Sequence, residues 1–443
     1  MEDISSVFED LRALAAPDEI ESLAEKGQSL QGWLKSNAHI HLPPNFTAFE
    51  SINQAVEFAA AQDVYVLGAS NYYDYSIYAD FALAARRSSV FPLFGLEIIV
   101  LMDDLLQAGI LVNDPGNPGR MYLCGKGITR FAPMTSGARD LINLIRWNDR
   151  SRMRMMIEKL RAIFASRGWE VSLDEPQIIA GIAAKHGVAE GVVCLQERHL
   201  AEAFQEQFFK LFPPPERSAA LSSILGIPST TDPADQAKIQ NEIRSHLMKV
   251  GKPAFVKETF LNFEQSYRLI LELGGIPCYP TLADGTKPIC TYEDPVEKLI
   301  DELQRSNIYC AEFIPIRNEP DVLEHYVHAI RRAGFVVTAG TEHNTPQLIP
   351  LEPRCVGGAA VPLEVRRIFW EGVCVVAAHQ FLSLHGLCGY VDGDGNLNPR
   401  FDDPERRIDY FRALGAAVIA RYHGSLSLNE GEVNRDGFTH TLA

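Results

Sequence analysis

Apolar runs of strand length alternate with stretches of helical spacing along most of the chain, and this alternation limits the possible folds more than any other feature. Residues 63–68 and 90–101 have the apolar character of buried strands, and residues 78–87 between them have helical spacing. The same order returns after residue 263. Alternation at this pitch is typical of a parallel sheet or barrel covered by helices. The sequence therefore predicts an α/β fold.

The alternation is interrupted once and is flanked by helical segments. Between residues 138 and 250 long helices dominate, divided by Pro213, Pro214 and Pro215. We expect this part to be a helical insertion that covers the barrel mouth. The predicted boundaries are N-terminal helices over 1–30, a barrel over 31–137 and 251–350, the insertion over 138–250, and a C-terminal helical extension over 351–443.

Two histidines separated by one residue, His39 and His41, close the first predicted strand. Side chains alternate along a strand, so the two imidazoles point to the same side. Pro43 and Pro44 end the strand directly afterwards, which places the pair at the carboxyl end, where barrels build their active sites. The pair is either a set of metal ligands or two ordinary hydrogen-bonded histidines at a strand end.

Other predicted strands also carry polar groups at or near their ends. Glu97 lies among apolar neighbours, and a buried carboxylate is costly unless it is paired or bound to a metal. Glu97 is therefore a ligand, or it is satisfied by backbone donors or an arginine. A later strand ends in Glu342, His343 and Asn344, and this density of polar groups indicates a functional role. Tyr279 ends a third strand with a phenol.

The charge and cysteine content exclude several classes of function. The net charge of −16 argues against nucleic acid as a partner, although a small anionic substrate can still bind in a locally basic pocket. None of the eight cysteines forms a Cys-x-x-Cys pair, which indicates buried thiols in a reducing compartment. The acidic N-terminus and the absence of an 18-residue apolar run predict a cytoplasmic protein without a membrane span.

The order of these motifs resembles the PHP superfamily, named after polymerase and histidinol phosphatase. The likeness covers about residues 31–350 and includes a helix in the insertion, where Arg198 and His199 precede Leu200 and Ala201. The resemblance implies a distorted (β/α)7 TIM-like barrel that binds up to three metal ions and hydrolyses phosphate esters.

Several metal-binding histidines of that family are replaced in this chain. Tyr122 and Tyr279 stand at two of those positions, and the strand that ends near Ser70 and Asn71 lacks a third. The complete set for one site remains, namely His39, His41, Glu97 and Glu342. The resemblance therefore implies a single divalent transition metal, and two imidazoles with two carboxylates suit Mn²⁺, Zn²⁺ or Fe²⁺.

Two functions are consistent with these observations. The first is a metal-dependent hydrolase of a small anionic, phosphate-ester-like substrate, in which one metal ion polarises the substrate and activates water. Its candidate catalytic residues are Tyr122, Tyr279 and His343, and its candidate substrate contacts are Arg198, His199 and Arg317. The second is a non-catalytic barrel that binds a small ligand or a partner protein. The lost histidines favour the second function, and the complete one-metal set favours the first. The sequence leaves open whether the chain forms a homo-oligomer.

Overall fold

The structure is a computed structural model that describes residues 4–27 and 32–429. Residues 1–3, 28–31 and 430–443 lie outside the described residues. They include both ends of the predicted N-terminal helices, the first residue of the predicted barrel and the end of the predicted C-terminal extension. The predicted domain boundaries stay predictions.

Seven strands form one sheet in the order in which they occur along the chain. They are β1 (Ser36–Ile40), β2 (Val66–Ala69), β3 (Phe91–Leu101), β4 (Arg120–Lys126), β5 (Ile276–Thr281), β6 (Cys310–Phe313) and β7 (Val336–Ala339). All neighbouring strands are parallel except that β4 runs antiparallel to both β3 and β5.

The sheet closes on itself just beyond β7, where the predicted site residues His39, His41 and Glu342 meet. Ile40 forms a bridge with Glu342. The backbone N–H of His41 donates to the Glu342 carbonyl at 2.8 Å, and the Glu342 N–H donates to the His39 carbonyl at 2.9 Å. The predicted distorted TIM-like barrel of seven strands is therefore confirmed, with one strand reversed.

Helices cover the barrel and form the insertion and the C-terminal extension. They are α1 (Ile4–Arg12), α2 (Pro17–Glu25), α3 (Ile52–Ala60), α4 (Tyr78–Arg87), α5 (Asp103–Gln107), α6 (Ser136–Ala165), α7 (Glu175–His186), α8 (Glu197–Leu211), α9 (Pro214–Leu225), α10 (Gln236–Ile243), α11 (Phe263–Glu272), α12 (Val296–Arg305), α13 (Pro320–Arg332), α14 (Leu363–Leu384) and α15 (Pro404–Asn429). A π-helical turn, Arg244–Met248, follows α10. Within the described ranges, no helix combines the length and apolarity needed to cross a bilayer.

The insertion has its own apolar cluster, separate from that of the barrel. Its largest buried side chains include Phe164 on α6 and Phe204 and Phe208 on α8. The first half of α6 packs on the barrel instead, through Ala138 and Ile142 among others. Helix α6 therefore joins two separately packed bodies.

The C-terminal helices lie against the barrel with very little space between backbones. A Cβ atom added at Gly372 of α14 would stand 2.1 Å from the Val337 carbonyl oxygen of β7. A Cβ atom added at Gly415 of α15 would stand 1.8 Å from the Cys374 carbonyl oxygen of α14. Glycine is therefore the residue that these two approaches require.

Candidate metal centre and its cavity

Three of the four predicted metal ligands converge at the carboxyl ends of β1 and within β3. His39 and His41 lie on one side of the β1 end, as the period of the strand requires. Their Nε2 atoms lie 3.5 Å and 3.1 Å from the same oxygen, Oε2 of Glu97. All three side chains are almost completely buried. We call these three residues the ligand cluster.

The ligand cluster contains buried polar atoms that make no hydrogen bond. They are Nε2 of His39, Nδ1 and Nε2 of His41, and Oε2 of Glu97. A buried polar atom without a partner is costly, and three of these atoms, Nε2 of each histidine and Oε2 of Glu97, converge on one point where a shared partner would satisfy them. Two imidazole nitrogens and a carboxylate oxygen are the donors that Zn²⁺, Mn²⁺ and Fe²⁺ prefer, so these residues fit a divalent metal.

The electrostatics of the cluster favour a negatively charged carboxylate. Burial acts to raise the pKa of Glu97, but the hydrogen-bonding and charge interactions with His39 and His41 outweigh it and hold the pKa well below its usual range. For His39, burial acts to lower the pKa, but Glu312 and Glu97 raise it to about 9. The Nδ1 atom of His39 donates to Oε1 of Glu312 at 2.7 Å, which leaves Nε2 turned toward Glu97.

The fourth predicted ligand, Glu342, does not lie in the ligand cluster. Arg317 holds both of its carboxylate oxygens, and Nη1 of Arg317 lies 2.9 Å from Oε1. The side chain of Asn344 donates to Oε2 at 2.5 Å. A bidentate arginine satisfies a carboxylate strongly, which explains why Glu342 turns to Arg317 instead of the histidines. Its role as a ligand stays a prediction.

The backbone at this strand end is unusual. Glu342 and His343 have φ values of +57° and +53°, in the left-handed region that residues other than glycine rarely adopt. The bond from the Glu342 N–H to His39 and the bond from His41 to the Glu342 carbonyl hold the segment in place. Such strain concentrates at functional sites, because surrounding structure has to maintain it.

A cavity of about 600 Å³ opens above the ligand cluster, between the barrel and the insertion. The barrel contributes Glu97, Tyr72 and Tyr122 to its wall, and the insertion contributes Arg198 and Arg244. The ring of Tyr72 stacks on that of His41, with centroids 5.1 Å apart. The cavity therefore reaches the ligand cluster at Glu97, while His39 and His41 lie behind its wall.

Most charges in the cavity wall are neutralised by a partner. The ion pairs are Arg120 with Asp114 and Glu258, Arg152 with Glu197 and Glu258, Lys249 with Glu197, and Arg317 with Glu342. Arg198 and Arg244 are different, because neither forms a hydrogen bond or ion pair with any described residue. The Nε atom of Arg244 is buried without a partner. The wall therefore carries two guanidinium groups whose charge is not balanced by a pair.

The two guanidinium groups act on each other. Burial, and then the charge of Arg244, lower the pKa of Arg198 to about 10, so that it remains protonated at neutral pH. The guanidinium of Arg198 also lies over the ring of Phe46, 5.8 Å from its centroid. Two like charges on one cavity wall repel each other, and this repulsion is relieved when an anion lies beside them.

Of the other predicted residues, Tyr122 lines the cavity and His199 and His343 do not. Nη2 of Arg120 donates to the Tyr122 hydroxyl at 3.1 Å. Nδ1 of His199 accepts from the Gln196 N–H at 3.1 Å and caps α8, and burial lowers its pKa to about 3. A neutral imidazole supplies no positive charge for an anion. His343 bonds through its two ring nitrogens to Thr341 and to the Ile349 carbonyl.

Tyr279 also lies outside the cavity wall. Its hydroxyl donates to Oε1 of Glu293 at 2.9 Å inside the barrel. Glu293 accepts two further bonds, from the backbone N–H groups of Leu282 and Ala283. The structure thus gives Tyr279 a buried hydrogen bond that holds the loop after β5. Its catalytic role stays a prediction without a contact to the cavity.

We expect Glu293 to make the stability of the fold depend on pH. Burial raises its pKa to about 7 despite three hydrogen bonds. The folded chain therefore holds this proton to a higher pH than the unfolded chain, so the contribution of Glu293 to the free energy of unfolding is largest at low pH. This contribution falls by about 3 kcal/mol in total as the pH rises from about 4.5 to above 7.

Denaturant unfolding at pH 5, 6, 7 and 8 measures this dependence. Glu293→Gln cannot ionise, so the difference in unfolding free energy between the wild type and the variant should shrink as the pH rises. Parallel curves for the two proteins would show that Glu293 has an ordinary pKa.

Two functional residues were not identified from the sequence, Glu312 and Arg244. Glu312 is a carboxylate in an apolar strand, the same signal that identified Glu97. Arg244 has no such signal, since it is one of several basic residues on polar helical faces. Arg244 stands out only in three dimensions, where the other basic side chains of the cavity wall, apart from Arg198, are seen to form ion pairs.

Several solved structures resemble this chain distantly. No protein-family profile matches the sequence, and no curated protein matches it. An amidohydrolase from Chromobacterium violaceum, solved with sulfate and no metal, is 15% identical with a TM-score of 0.47 over 75% of this chain and 96% of that one. A protein from Bifidobacterium adolescentis, provisionally assigned as a metal-dependent phosphoesterase, is 13% identical with a TM-score of 0.48 over 75% and 94%. Both scores are below 0.5, so neither likeness indicates what this chain does.

Proposed function

We propose that the protein is a metal-dependent hydrolase of a small anionic, phosphate-ester-like substrate, and that one divalent metal ion binds to His39, His41 and Glu97. The observation that carries this proposal is the set of unpartnered nitrogen and oxygen atoms that converge beneath the cavity. Three protein ligands leave a coordination position for water or substrate, as in catalytic zinc sites. A metal ion bound there would polarise a phosphoryl oxygen and lower the pKa of water.

The insertion supplies the anion-binding side of the cavity. Arg198 and Arg244 carry two positive charges that no described residue neutralises, and a phosphate monoester carries about two negative charges at neutral pH. Each guanidinium can donate to phosphate oxygens in a bidentate manner. These two residues would hold the substrate and orient its phosphoryl group toward the ligand cluster.

Tyr122 is suited to donate a hydrogen bond to the substrate. Burial raises its pKa to about 12, so the phenol is neutral at pH 7. Its oxygen already accepts from Arg120, which leaves its own proton available to a group in the cavity. We assign Tyr122 a role in stabilising the leaving oxygen. Arg317 can contact substrate only when Glu342 releases it, because the two side chains neutralise each other.

The insertion is fastened to the barrel beside the cavity. The side chain of Gln196 accepts from the Phe46 N–H at 2.6 Å, and Nη1 of Arg146 lies 2.8 Å from Oδ2 of Asp74. Both contacts join the insertion side to the loops after β1 and β2. They hold the two arginines of the insertion over the barrel, where the proposed metal centre lies.

Metal analysis combined with a hydrolysis screen tests the proposed function. Purified protein should contain close to one Mn²⁺, Zn²⁺ or Fe²⁺ per chain after incubation with that ion, and it should release phosphate from a panel of small phosphomonoesters. His41→Ala should lose both properties. Metal binding without turnover on any small ester would favour the non-catalytic barrel, and an absence of metal would exclude the proposed centre.

We expect the two unpaired arginines to determine anion affinity. Arg198→Met and Arg244→Met each remove charge-assisted hydrogen bonds, which corresponds to about a 10- to 100-fold weaker binding of inorganic phosphate. Isothermal titration calorimetry measures the affinity. Arg167→Met removes an exposed arginine of the same insertion and serves as the control. Equal phosphate affinity in all three variants would place the anion elsewhere.

A further inference from the structure

A lysine ammonium lies inside the barrel, directly behind the ligand cluster. Lys126 on β4 and Glu312 on β6 have exposed side-chain fractions of 2% and 0%. Nζ of Lys126 lies 2.5 Å from Oε2 of Glu312 and also donates to the carbonyl of Ala38 at 3.2 Å. The ammonium therefore joins β4, β6 and the residue that precedes His39 in β1.

The second oxygen of Glu312 controls the ring of His39. Oε1 accepts the Nδ1–H of His39 at 2.7 Å. With Nδ1 engaged, Nε2 is the nitrogen that faces Glu97. Lys126 thus acts on His39 at two points: through Glu312 on the ring, and through the Ala38 carbonyl on the adjoining backbone.

The ion pair is difficult to explain as a stabilising element alone. Charges taken into a protein interior lose their hydration, and apolar residues of similar size are often at least as stabilising. The neighbouring positions on β4 and β5 are the buried thiols Cys124 and Cys278, which stay neutral because burial raises their pKa well above the ordinary value. The two charged or chargeable groups that pair with the Glu312 carboxylate are Lys126 and His39, and the neutral thiol of Cys124 also lies beside it.

We propose that Lys126 is a positioning residue of the metal centre. Its ammonium fixes the Glu312 carboxylate, and Glu312 in turn orients His39 so that Nε2 points to the metal. This inference rests on the metal centre proposed above, but the orientation of His39 can be measured without any metal. Partners that orient a ligand in this way typically contribute about 10- to 100-fold to metal affinity.

Four variants test the proposal through Zn²⁺ affinity, measured by competition with a chelator. Lys126→Met should bind Zn²⁺ about 10- to 100-fold more weakly, and so should Glu312→Gln. Both act through one carboxylate, so the double variant should lie within about twofold of Glu312→Gln. Lys126→Arg retains the charge and should recover part of the affinity. Arg331→Met removes a partly buried ion pair on α13, remote from the cluster, and should leave affinity unchanged.

A second readout separates positioning from a structural role. In metal-free protein with ¹⁵N-labelled histidines, the proton that His39 shares with Glu312 should resonate far downfield, and it should shift or vanish in Lys126→Met. If Lys126→Met does not fold, Lys126→Gln, which keeps Glu312 and replaces the ammonium by a neutral amide, supplies the same comparison. A wild type that binds no Zn²⁺ would remove the proposed hydrolase, but a changed His39 signal would still support the positioning role.

Two results would overturn the inference. One is an unchanged His39 ring signal in the folded Lys126→Met variant, or in Lys126→Gln when Lys126→Met does not fold. The other is a wild type that binds Zn²⁺ while Lys126→Met, folded and with a changed ring signal, binds it equally well. Losses of affinity that add in the double variant would also contradict a shared path through Glu312.

Discussion

Replacing any residue of the ligand cluster is expected to lower the affinity for Zn²⁺ by more than about 100-fold, since even partners behind the ligands typically contribute 10- to 100-fold. His41→Ala, His39→Ala and Glu97→Gln each remove one of three converging donors. The remaining two cannot hold the ion alone against water. Metal content after dialysis and competition with a chelator measure the effect.

Two further variants define the limits of this result. His328→Ala removes a partly exposed histidine on α13 and should bind Zn²⁺ as the wild type does. Glu342→Gln decides the fourth predicted ligand: a loss as large as that of His41→Ala would place Glu342 on the metal despite its bond to Arg317. If His41→Ala itself kept full affinity, the metal centre would not be at the ligand cluster.

A methyl group at Gly415 is expected to reduce the free energy of unfolding by about 3 kcal/mol or more. The new Cβ atom would stand 1.8 Å from the backbone carbonyl oxygen of Cys374, and that atom cannot turn aside as the end of a side chain can. Helices α14 and α15 would have to separate along their length. Guanidinium unfolding of Gly415→Ala measures the loss.

Gly424→Ala is the matched control in the same helix. No atom lies within 4 Å of a Cβ added at Gly424, so the change adds only the helix preference of alanine, up to about 1 kcal/mol in favour of the fold. The two variants should therefore move in opposite directions. A Gly415→Ala protein as stable as the wild type would mean that the two helices pack more loosely than described.

The periodicities that the sequence displays predicted the barrel and much of the ligand cluster. Alternation of strands and helices requires a sheet with helical cover, and a spacing of two puts His39 and His41 on one side of β1. Both are local properties of the chain. Three of the four predicted donors, His39, His41 and Glu97, lie in the cluster, and the number and identity of the ions stay predictions.

The reversed strand was not predicted. The 18 residues between Leu101 and Arg120 are enough for a parallel crossover, so the length of the connection does not decide the direction of β4. They form only the five-residue helix α5 (Asp103–Gln107) and a loop, and not the full helix that usually covers a parallel pair. The composition of residues 120–126 is equally compatible with a parallel and an antiparallel strand, so it did not reveal the direction of β4.

Which partner a polar residue chooses was the least predictable property. Glu342 lies at a strand end beside the cluster, yet it pairs with Arg317, which is 25 residues away in sequence. Glu312 reaches Lys126 across 186 residues. His199 is a helix cap and Tyr279 is a loop anchor. Such pairings depend on side-chain direction in three dimensions, which spacing along the chain does not specify.

The separate apolar cluster of the insertion has a consequence for how such a protein can change over generations. The donors of the proposed metal centre belong to the barrel, and the unpaired arginines belong to a body with its own packing. Substitutions on α8 or the turn Arg244–Met248 can therefore alter the wall of the cavity without disturbing the packing behind His39, His41 and Glu97. Under the proposed function, chemistry and selectivity can be inherited separately, and a lineage can acquire new preferences while it retains one reaction.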